Sequence, residues 1–287
     1  MMRVFITGSD RGQLHWELIR SCPADVEIVG VAPRLDLYDT DAIGRTLFDL
    51  QPDAVINAAA YTAVDKAESE PDNAHALNTA AVEQLALAAK QINARLLHVS
   101  TDFVFGKGDG SPFSVDAATD PVSVYGQSKL AGEQALMRVL PDNGTIIRTA
   151  WVYSSHGNNF VKTMLRLMQE RDELGVIADQ VGSPTWAYSL AQALWRSLEL
   201  EASGVFHWTG AGVASWYDFA VAIAEEANQL SILHKSITIN PLTTEQYPTP
   251  ACRPAYSVLQ LADTWQTLGM NSSHWRTDLR SMLKELI

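Results

Sequence analysis

Short β-forming runs alternate with helical segments through the first half of the chain. The runs are residues 3–7, 26–31, 54–57, 95–100 and 144–148, and the helical segments between them are 13–21, 39–50, 72–93 and 123–139. Strands that alternate with helices form a parallel sheet covered on both faces. The sequence therefore predicts an α/β fold with a doubly wound parallel sheet, in which ligands bind at the carboxyl ends of the strands.

The alternation becomes irregular after residue 148. Helical patterns cover 159–171, 185–199, 215–228 and 273–286, and strand-like runs lie at 205–208 and 235–239. We predict two domains. The first, residues 1–150, is a Rossmann-type nucleotide-binding domain. The second, residues 151–287, is a smaller mixed α/β substrate-binding domain with segments that cross back into the first.

Composition and net charge exclude some classes of binding partner. The 287-residue chain is 47% hydrophobic and carries a formal net charge of −12. An acidic chain without a basic run is unsuited to nucleic acid or an anionic membrane. It has no long apolar run and enters a strand almost at once, so we expect neither a membrane span nor a signal peptide. Cys22 and Cys252 are too few for a disulfide framework, and we expect a cytoplasmic protein.

A glycine loop joins the first predicted strand to the first helix. Gly8 suits a tight turn, and Gly12 lets backbone N–H groups approach a pyrophosphate at the helix N-terminus. The spacing is G-x-x-x-G, and His15 stands where a third glycine is common, so the match to a dinucleotide fingerprint is imperfect. Its place in the first βα unit predicts cofactor binding, with a plain strand–helix turn as the alternative.

The second predicted strand ends without the carboxylate that holds a ribose 2′-hydroxyl in many NAD-binding proteins. Arg34 stands there instead, and Arg11 lies in the glycine loop. Two guanidinium groups near the adenosine ribose favour a 2′-phosphate. We predict NADPH as the cofactor, with NADH as the second choice. Alternatively, both arginines are solvated surface residues.

Tyr125 and Lys129 form a Y-x-x-x-K pattern at a predicted helix start. Residues four apart share a helix face, and an ammonium beside a phenol lowers the phenol's pKa. Such a tyrosine exchanges a proton with a carbonyl or an alcohol. Thr101, at the end of the fourth strand, is placed to hydrogen-bond a substrate carbonyl, although it also suits a strand-end cap. These three residues are the predicted catalytic set.

Several segments of the chain resemble the extended short-chain dehydrogenase/reductase superfamily, and within it the dTDP-4-dehydrorhamnose reductase family. The matching segments, in order, are 57–68, 100–105, 125–133, 148–153 with 157–160, 179–186, 216–218 and 248–254. The resemblance implies NAD(P)H-dependent reduction of the C4 keto group of dTDP-4-dehydro-6-deoxy-L-mannose to dTDP-L-rhamnose. That reaction belongs to cell-wall polysaccharide and lipopolysaccharide biosynthesis. Its partner is a dTDP-linked 4-keto-6-deoxyhexose, and the protein is expected to be a monomer or homodimer.

The resemblance also implies roles for individual residues. Tyr125 is the proton donor, Lys129 tunes its pKa and anchors the cofactor ribose, and Thr101 orients the keto oxygen. Further residues implied to contact the cofactor are Gly8, Gly12, Gln13, Leu14, Asp36, Leu37, Ala58, Ala59 and Ala60. Those implied to face the sugar, its diphosphate or the nicotinamide are Thr62, Val64, Asp102, Phe103, Trp151 and Arg253. For Trp151 the alternative is ordinary core packing, and for Arg253 a surface ion pair.

The sequence departs from the family pattern in three places. His15 alters the glycine loop, and Phe103 stands where the family usually has tyrosine. Some family members bridge a dimer through Mg²⁺ held by three glutamates, and Glu17 and Glu285 match two of those positions. Tyr188 stands at the third, so we expect no Mg²⁺ site, since Mg²⁺ prefers an oxygen shell rich in carboxylates and water.

Two further functions stay open from the sequence. The chain could reduce or epimerise another nucleotide-linked 4-keto sugar, which Phe103 and the altered glycine loop favour. It could instead be a non-catalytic regulatory subunit on the same fold. The intact set of Thr101, Tyr125 and Lys129 argues for the enzyme.

Overall fold

The computed structural model describes residues 1–30 and 35–287. Its strands are β1 Met2–Thr7, β2 Val26–Val29, β3 Ala54–Asn57, β4 Arg95–Thr101, β5 Gly144–Thr149, β6 Val152–Tyr153, β7 Glu173–Ile177, β8 Val181–Gly182, β9 Thr185–Trp186, β10 Gly204–His207, β11 Ala214–Ser215 and β12 Thr238–Leu242. Its helices are α1 Gln13–Arg20, α2 Thr40–Leu50, α3 Val64–Ala67, α4 Pro71–His75, α5 Ala81–Gln91, α6 Val124–Val139, α7 Phe160–Glu170, α8 Ala187–Glu199, α9 Trp216–Gln229, α10 Ala262–Leu268 and α11 Trp275–Lys284.

Within the described ranges, six strands form one sheet in the order β10-β5-β4-β3-β1-β2. Every neighbouring pair is parallel. All residues of β3 and β5 are buried, as expected for central strands of a sheet covered on both faces. The predicted α/β fold with a doubly wound parallel sheet is confirmed.

Alternate side chains of the strands pack into two separate apolar layers, one on each face of the sheet. Phe5 packs with residues of α2, α5 and α6 on one face, whereas Val4 and Ile6 pack with residues of α1 and α8 on the other. This division follows from the two-residue period of a strand. The helices that carry the glycine loop and the Y-x-x-x-K pattern, α1 and α6, therefore lie on opposite faces of the sheet.

The C-terminal part builds a third apolar cluster around Phe219, Ile223, Leu279 and Met282. It also returns to the main sheet, since β10 pairs in parallel with β5 at the sheet edge. The domain boundary near residue 150 stays a prediction. The strand predicted at 235–239 lies instead at β12, three residues later, where it pairs with β7.

The predicted helix over 72–93 is interrupted. A π-helical turn, Ala76–Ala80, separates α4 from α5 and turns the buried Asn78 toward its neighbours. The Asn78 amide accepts from Tyr61 N at 2.8 Å and donates to Ser128 Oγ at 3.0 Å. Single π-helical turns inside α-helices occur frequently at functional sites, and the apolar period alone did not reveal this one.

Helix α6 is fixed at its start and along its length. The Ser123 hydroxyl caps it by accepting from Gly126 N at 3.2 Å. Farther along, Gly132 lies against the π-turn, where an added Cβ would come within 2.1 Å of Asn78 O. Only a residue without a side chain permits this approach. The contact sets the depth at which α6 presents Tyr125 and Lys129.

We expect Gly132→Ala to destabilise the protein by about 2 kcal/mol or more, because backbone must move to accept the methyl group. Urea unfolding followed by far-UV circular dichroism measures this change. The matched control is Gly44→Ala in α2, where an added Cβ meets nothing within 4 Å. Alanine there is expected to be neutral or mildly stabilising. Equal midpoints for the two variants would contradict the close-packing argument.

None of the described helices combines the length and the apolar character needed to cross a membrane. Cys22 is half-buried and Cys252 is exposed, and both are free thiols.

Candidate active site

A cavity of about 960 Å³ opens at the carboxyl ends of β1, β3 and β4. This is the position expected for the ligand site of a doubly wound sheet. The predicted cofactor residues that line it are Gly8, Arg11, Gly12, Gln13, Leu14, Asp36, Leu37, Ala58, Ala59, Ala60, Tyr125 and Lys129. The predicted substrate residues that line it are Thr62, Val64, Thr101, Asp102, Phe103, Trp151 and Arg253. Arg34 lies outside the described residues. One cavity thus collects the predicted set, while the role of each residue stays a prediction.

The glycine loop is compact. Gly8 has φ +112°, a conformation that favours glycine, and Gly12 N donates to Ser9 O at 2.7 Å. Helix α1 begins directly afterwards at Gln13, so its first N–H groups are available at the cavity. His15 Nδ1 lies 3.3 Å from Thr7 O, beneath the loop. The imperfect motif therefore still forms a turn that leads into a helix N-terminus.

Thr101 and Tyr125 meet at the end of β4. The Thr101 hydroxyl donates to Asp102 Oδ1 at 3.0 Å and accepts from Phe103 N at 3.2 Å. Burial raises the pKa of Tyr125 to about 12, and its hydrogen bond with Thr101 acts in the opposite direction. The Phe103 ring packs edge-on against Tyr125, with centroids 5.6 Å apart. Tyr125 therefore keeps its proton at neutral pH.

Lys129 is almost fully buried in α6, with 1% of its surface exposed. Its Nζ donates to Val99 O at 2.6 Å and lies 3.1 Å from His98 Nε2. Burial lowers the pKa of Lys129 to about 7, and the Glu133 carboxylate acts in the opposite direction. The group therefore titrates near neutral pH.

The expectation of a lowered pKa for Tyr125 is wrong for this structure. Burial outweighs charge for both groups, because removing either from water disfavours its ionised form. The phenol pKa rises and the ammonium pKa falls, and the carboxylate of Asp102 raises the Tyr125 pKa further. The depth of both side chains causes this difference, and the Y-x-x-x-K spacing carries no information on depth.

Trp151 occupies an unusual backbone conformation at the cavity. Its φ is +49°, which is uncommon for a residue other than glycine. Its indole stacks on Trp216 with centroids 3.6 Å apart, and an added Cβ on Gly182 would come within 2.8 Å of it. Trp151 is half-buried and lines the cavity while its edge packs on the C-terminal cluster. Strain of this kind is tolerated where the surroundings hold a residue firmly, often at functional sites.

Two charged residues of the predicted substrate set already have partners. Arg253 Nη2 pairs with Asp65 Oδ2 at 3.0 Å while both remain partly exposed. Burial raises the pKa of Asp102 to about 6, and hydrogen bonds from Ser257 and Thr101 act in the opposite direction. The cation predicted for a diphosphate is therefore tethered to α3 rather than free.

The carboxylates that match a metal site in some family members are joined by an arginine. Arg20 Nη2 lies 2.7 Å from Glu17 Oε2, and its Nη1 lies 2.7 Å from Glu285 Oε1. The Tyr188 ring lies under the same guanidinium, 4.7 Å from its centroid. Among residues 1–30 and 35–287, no group of three or more metal-binding side chains is placed to hold an ion.

Sequence reasoning missed part of the cavity wall. The additional lining residues are Ser9, Leu35, Tyr38, Leu77, Val99, Ser100, Thr149, Ala150, Val152, Asn158, Gln180, Leu190, Trp216, Pro254 and Ser257. It also missed His98, which contacts Lys129 from inside the sheet. A histidine among apolar residues in a central strand was the available signal, since a buried polar side chain needs a partner.

The parallel sheet and the site at its carboxyl edge define an oxidoreductase of the extended short-chain dehydrogenase/reductase type. The family model of the RmlD substrate binding domain matches residues 2–287. The chain therefore belongs to that family.

Named relatives resemble the chain along its whole length. A dTDP-4-dehydrorhamnose reductase from Shigella flexneri is 40% identical over 300 residues, which cover 99% of this chain and 98% of the relative. A crystal structure of such a reductase from Clostridium acetobutylicum superimposes with a TM-score of 0.92 at 36% identity, over 99% of each chain. One from Bacillus anthracis, in complex with NADP, gives a TM-score of 0.91 at 33% identity, over 99% of this chain and all of that one.

Proposed function

We propose that the protein reduces the C4 keto group of dTDP-4-dehydro-6-deoxy-L-mannose to give dTDP-L-rhamnose, with Tyr125 as the proton donor. The observation that carries the proposal is the meeting of Thr101, Tyr125 and Lys129 at one wall of the cavity. Full-length relatives named dTDP-4-dehydrorhamnose reductase support the choice of substrate. The cytoplasmic location and the monomeric or dimeric state stay predictions.

The cavity fits a dinucleotide. The glycine loop offers N–H groups at the start of α1, and an added Cβ on Gly12 would come within 3.1 Å of Ser9 O. Such a loop suits a pyrophosphate, because anions are stabilised at helix N-termini. Ala58, Ala59 and Ala60 keep the wall at the end of β3 free of bulk. The loop cation Arg11 and the NADP in the Bacillus anthracis relative support NADPH over NADH.

The reaction joins a hydride and a proton to a carbonyl group. A bound reduced nicotinamide supplies the hydride to C4. Tyr125 supplies the proton: its phenolic O–H bond breaks as a new O–H bond forms at the substrate oxygen. A pKa of about 12 keeps that proton in place until negative charge develops on the oxygen. Lys129, one helical turn away, stabilises the phenolate that is left.

The neighbouring residues shape the site around the transferred proton. The Thr101 hydroxyl lies beside Tyr125 in the cavity wall, where the substrate oxygen would approach. The edge-on Phe103 ring excludes water from one side of Tyr125. The stacked Trp151 and Trp216 form an apolar wall suited to the methyl-bearing face of a 6-deoxy sugar.

The test is a reduction assay with the 4-keto substrate made in situ from dTDP-glucose. We expect NADPH oxidation that depends on the sugar nucleotide, with NADH slower, and dTDP-L-rhamnose as the product identified by NMR. Another deoxysugar as the product would point to a different 4-keto substrate, in line with Phe103. Purified protein that binds neither cofactor nor substrate would support a regulatory subunit and refute the proposal.

A further inference from the structure

Two protein groups hold the amino group of Lys129 from behind. Its Nζ donates to Val99 O at 2.6 Å and lies 3.1 Å from His98 Nε2. A tetrahedral nitrogen has three directions besides its own carbon, so these contacts leave one. Because Lys129 lines the cavity, the remaining N–H is the one aimed at a bound ligand.

His98 is held in its turn by a buried hydrogen-bonded chain. Its Nδ1 lies 3.0 Å from Asn57 Nδ2, and Asn57 Oδ1 accepts from Thr7 Oγ1 at 2.6 Å. Ala59 N, at the cavity wall, donates to the same Thr7 oxygen at 3.2 Å. His98 is fully buried and does not line the cavity, so it acts on a ligand only through Lys129. This series of hydrogen bonds connects β1, β3 and β4 to helix α6.

An imidazole suits this position for a chemical reason. A lysine ammonium has no lone pair, so its neighbour must accept, whereas a neutral amine can accept from an N–H donor. Asn57 Nδ2 donates to His98 Nδ1, so the neutral ring carries its proton on Nε2 and donates it to the neutral amine of Lys129. Burial and the charge of Lys129 hold the pKa of His98 well below its usual range, so the ring stays neutral. It therefore holds Nζ through the lone pair of the neutral amine, in line with the lowered pKa of Lys129.

The other charges near this pair are already paired or act elsewhere. Glu133, on the same helix as Lys129, pairs with Arg148 of β5 at 2.7 Å. Asp102, beyond the end of β4, acts on Tyr125. Among the described residues, His98 is therefore the ionisable side chain that hydrogen-bonds Lys129 directly.

We propose that His98 is a positioning residue for Lys129: together with Val99 O it fixes Nζ so that the one free N–H points at the cofactor ribose. This inference rests on the proposed cofactor role of Lys129. In this proposal the buried hydrogen bonds from Thr7 through Asn57 to His98 support the position of Lys129 in the site.

Two substitutions of His98 distinguish the effect of its hydrogen bond to Lys129 from the effect of its side-chain volume. We expect His98→Leu to weaken NADPH binding about tenfold and to lower kcat by about a hundredfold, since the hydrogen bond that fixes Nζ is lost. His98→Gln should recover most of both, because a rotated amide offers either oxygen or N–H to Nζ. The matched control is His207→Leu, a buried histidine on β10 of the same sheet that does not line the cavity.

NADPH binding is measured by cofactor fluorescence and turnover by the reduction assay, with circular dichroism as a check on folding. Leucine and glutamine variants that fold and behave alike, or a His98→Leu that matches His207→Leu, would overturn the inference. If His98→Leu does not fold, Asn57→Leu removes the support behind His98, and unchanged binding and kcat in that variant would overturn it equally. Wild-type protein that binds no NADPH would instead refute the proposed function, and this inference with it.

Discussion

Tyr125→Phe is expected to lower kcat by roughly 10²- to 10⁴-fold while NADPH binding changes little. The substitution removes one oxygen and keeps the ring that packs against Phe103. Without the phenolic proton, the oxygen of the reduced carbonyl must take its proton from water, which the buried end of β4 admits poorly. The thermal midpoint should be near that of the wild type. Stopped-flow oxidation of NADPH with saturating sugar nucleotide measures the chemical step.

Tyr188→Phe is the matched control for this loss. Tyr188 lies under Arg20 and does not line the cavity. It should retain wild-type kcat and KM. A Tyr125→Phe enzyme with more than half of the wild-type kcat would exclude Tyr125 as the proton donor and leave Thr101 or a bound water as the source.

Lys129→Met is expected to affect both cofactor affinity and turnover. The substitution keeps an unbranched apolar stem but removes the charge that stabilises the phenolate and the N–H aimed at the ribose. We expect kcat/KM to fall by about 10²-fold or more. Because burial lowers the pKa of Lys129 to about 7, the ammonium is lost as pH rises through neutrality. Wild-type kcat/KM should therefore decline above about pH 7, and kcat/KM of the variant should not show this decline.

The pH profile separates this role from a general loss of packing. Lys162→Met, on α7 outside the cavity, is the control and should keep the wild-type profile. A Lys129→Met enzyme that retains the wild-type decline above pH 7 would show that another group titrates there. Asp102, with a pKa raised to about 6, would then be the first candidate.

Local patterns in the sequence determined much of the fold. The parallel sheet followed from the alternation of β-forming runs with helices, and the position of the cavity followed from the topology of such a sheet. The described residues predicted for the site line one cavity, and many of them lie at strand ends or near the N-termini of helices. Features of this kind are predictable because short segments of the sequence encode them.

Features that depend on depth and register were not predictable in this way. Asn57 and His98 are 41 residues apart, yet they face each other because β3 and β4 pair in that register. The direction of the Tyr125 pKa shift depends on burial, which the Y-x-x-x-K spacing does not encode. The π-turn at Asn78 likewise depends on contacts with Tyr61 and Ser128.

The late return of β10 to the main sheet has a consequence for the order in which the protein can be assembled. As the ribosome releases the chain from its N-terminus, β5 emerges more than fifty residues before its outer neighbour. During that interval β5, whose residues are all buried in the finished fold, is an open sheet edge, the kind of surface on which nascent chains aggregate. The pairing of β10 with β5 is thus the step of biosynthesis before which this edge of the sheet needs protection.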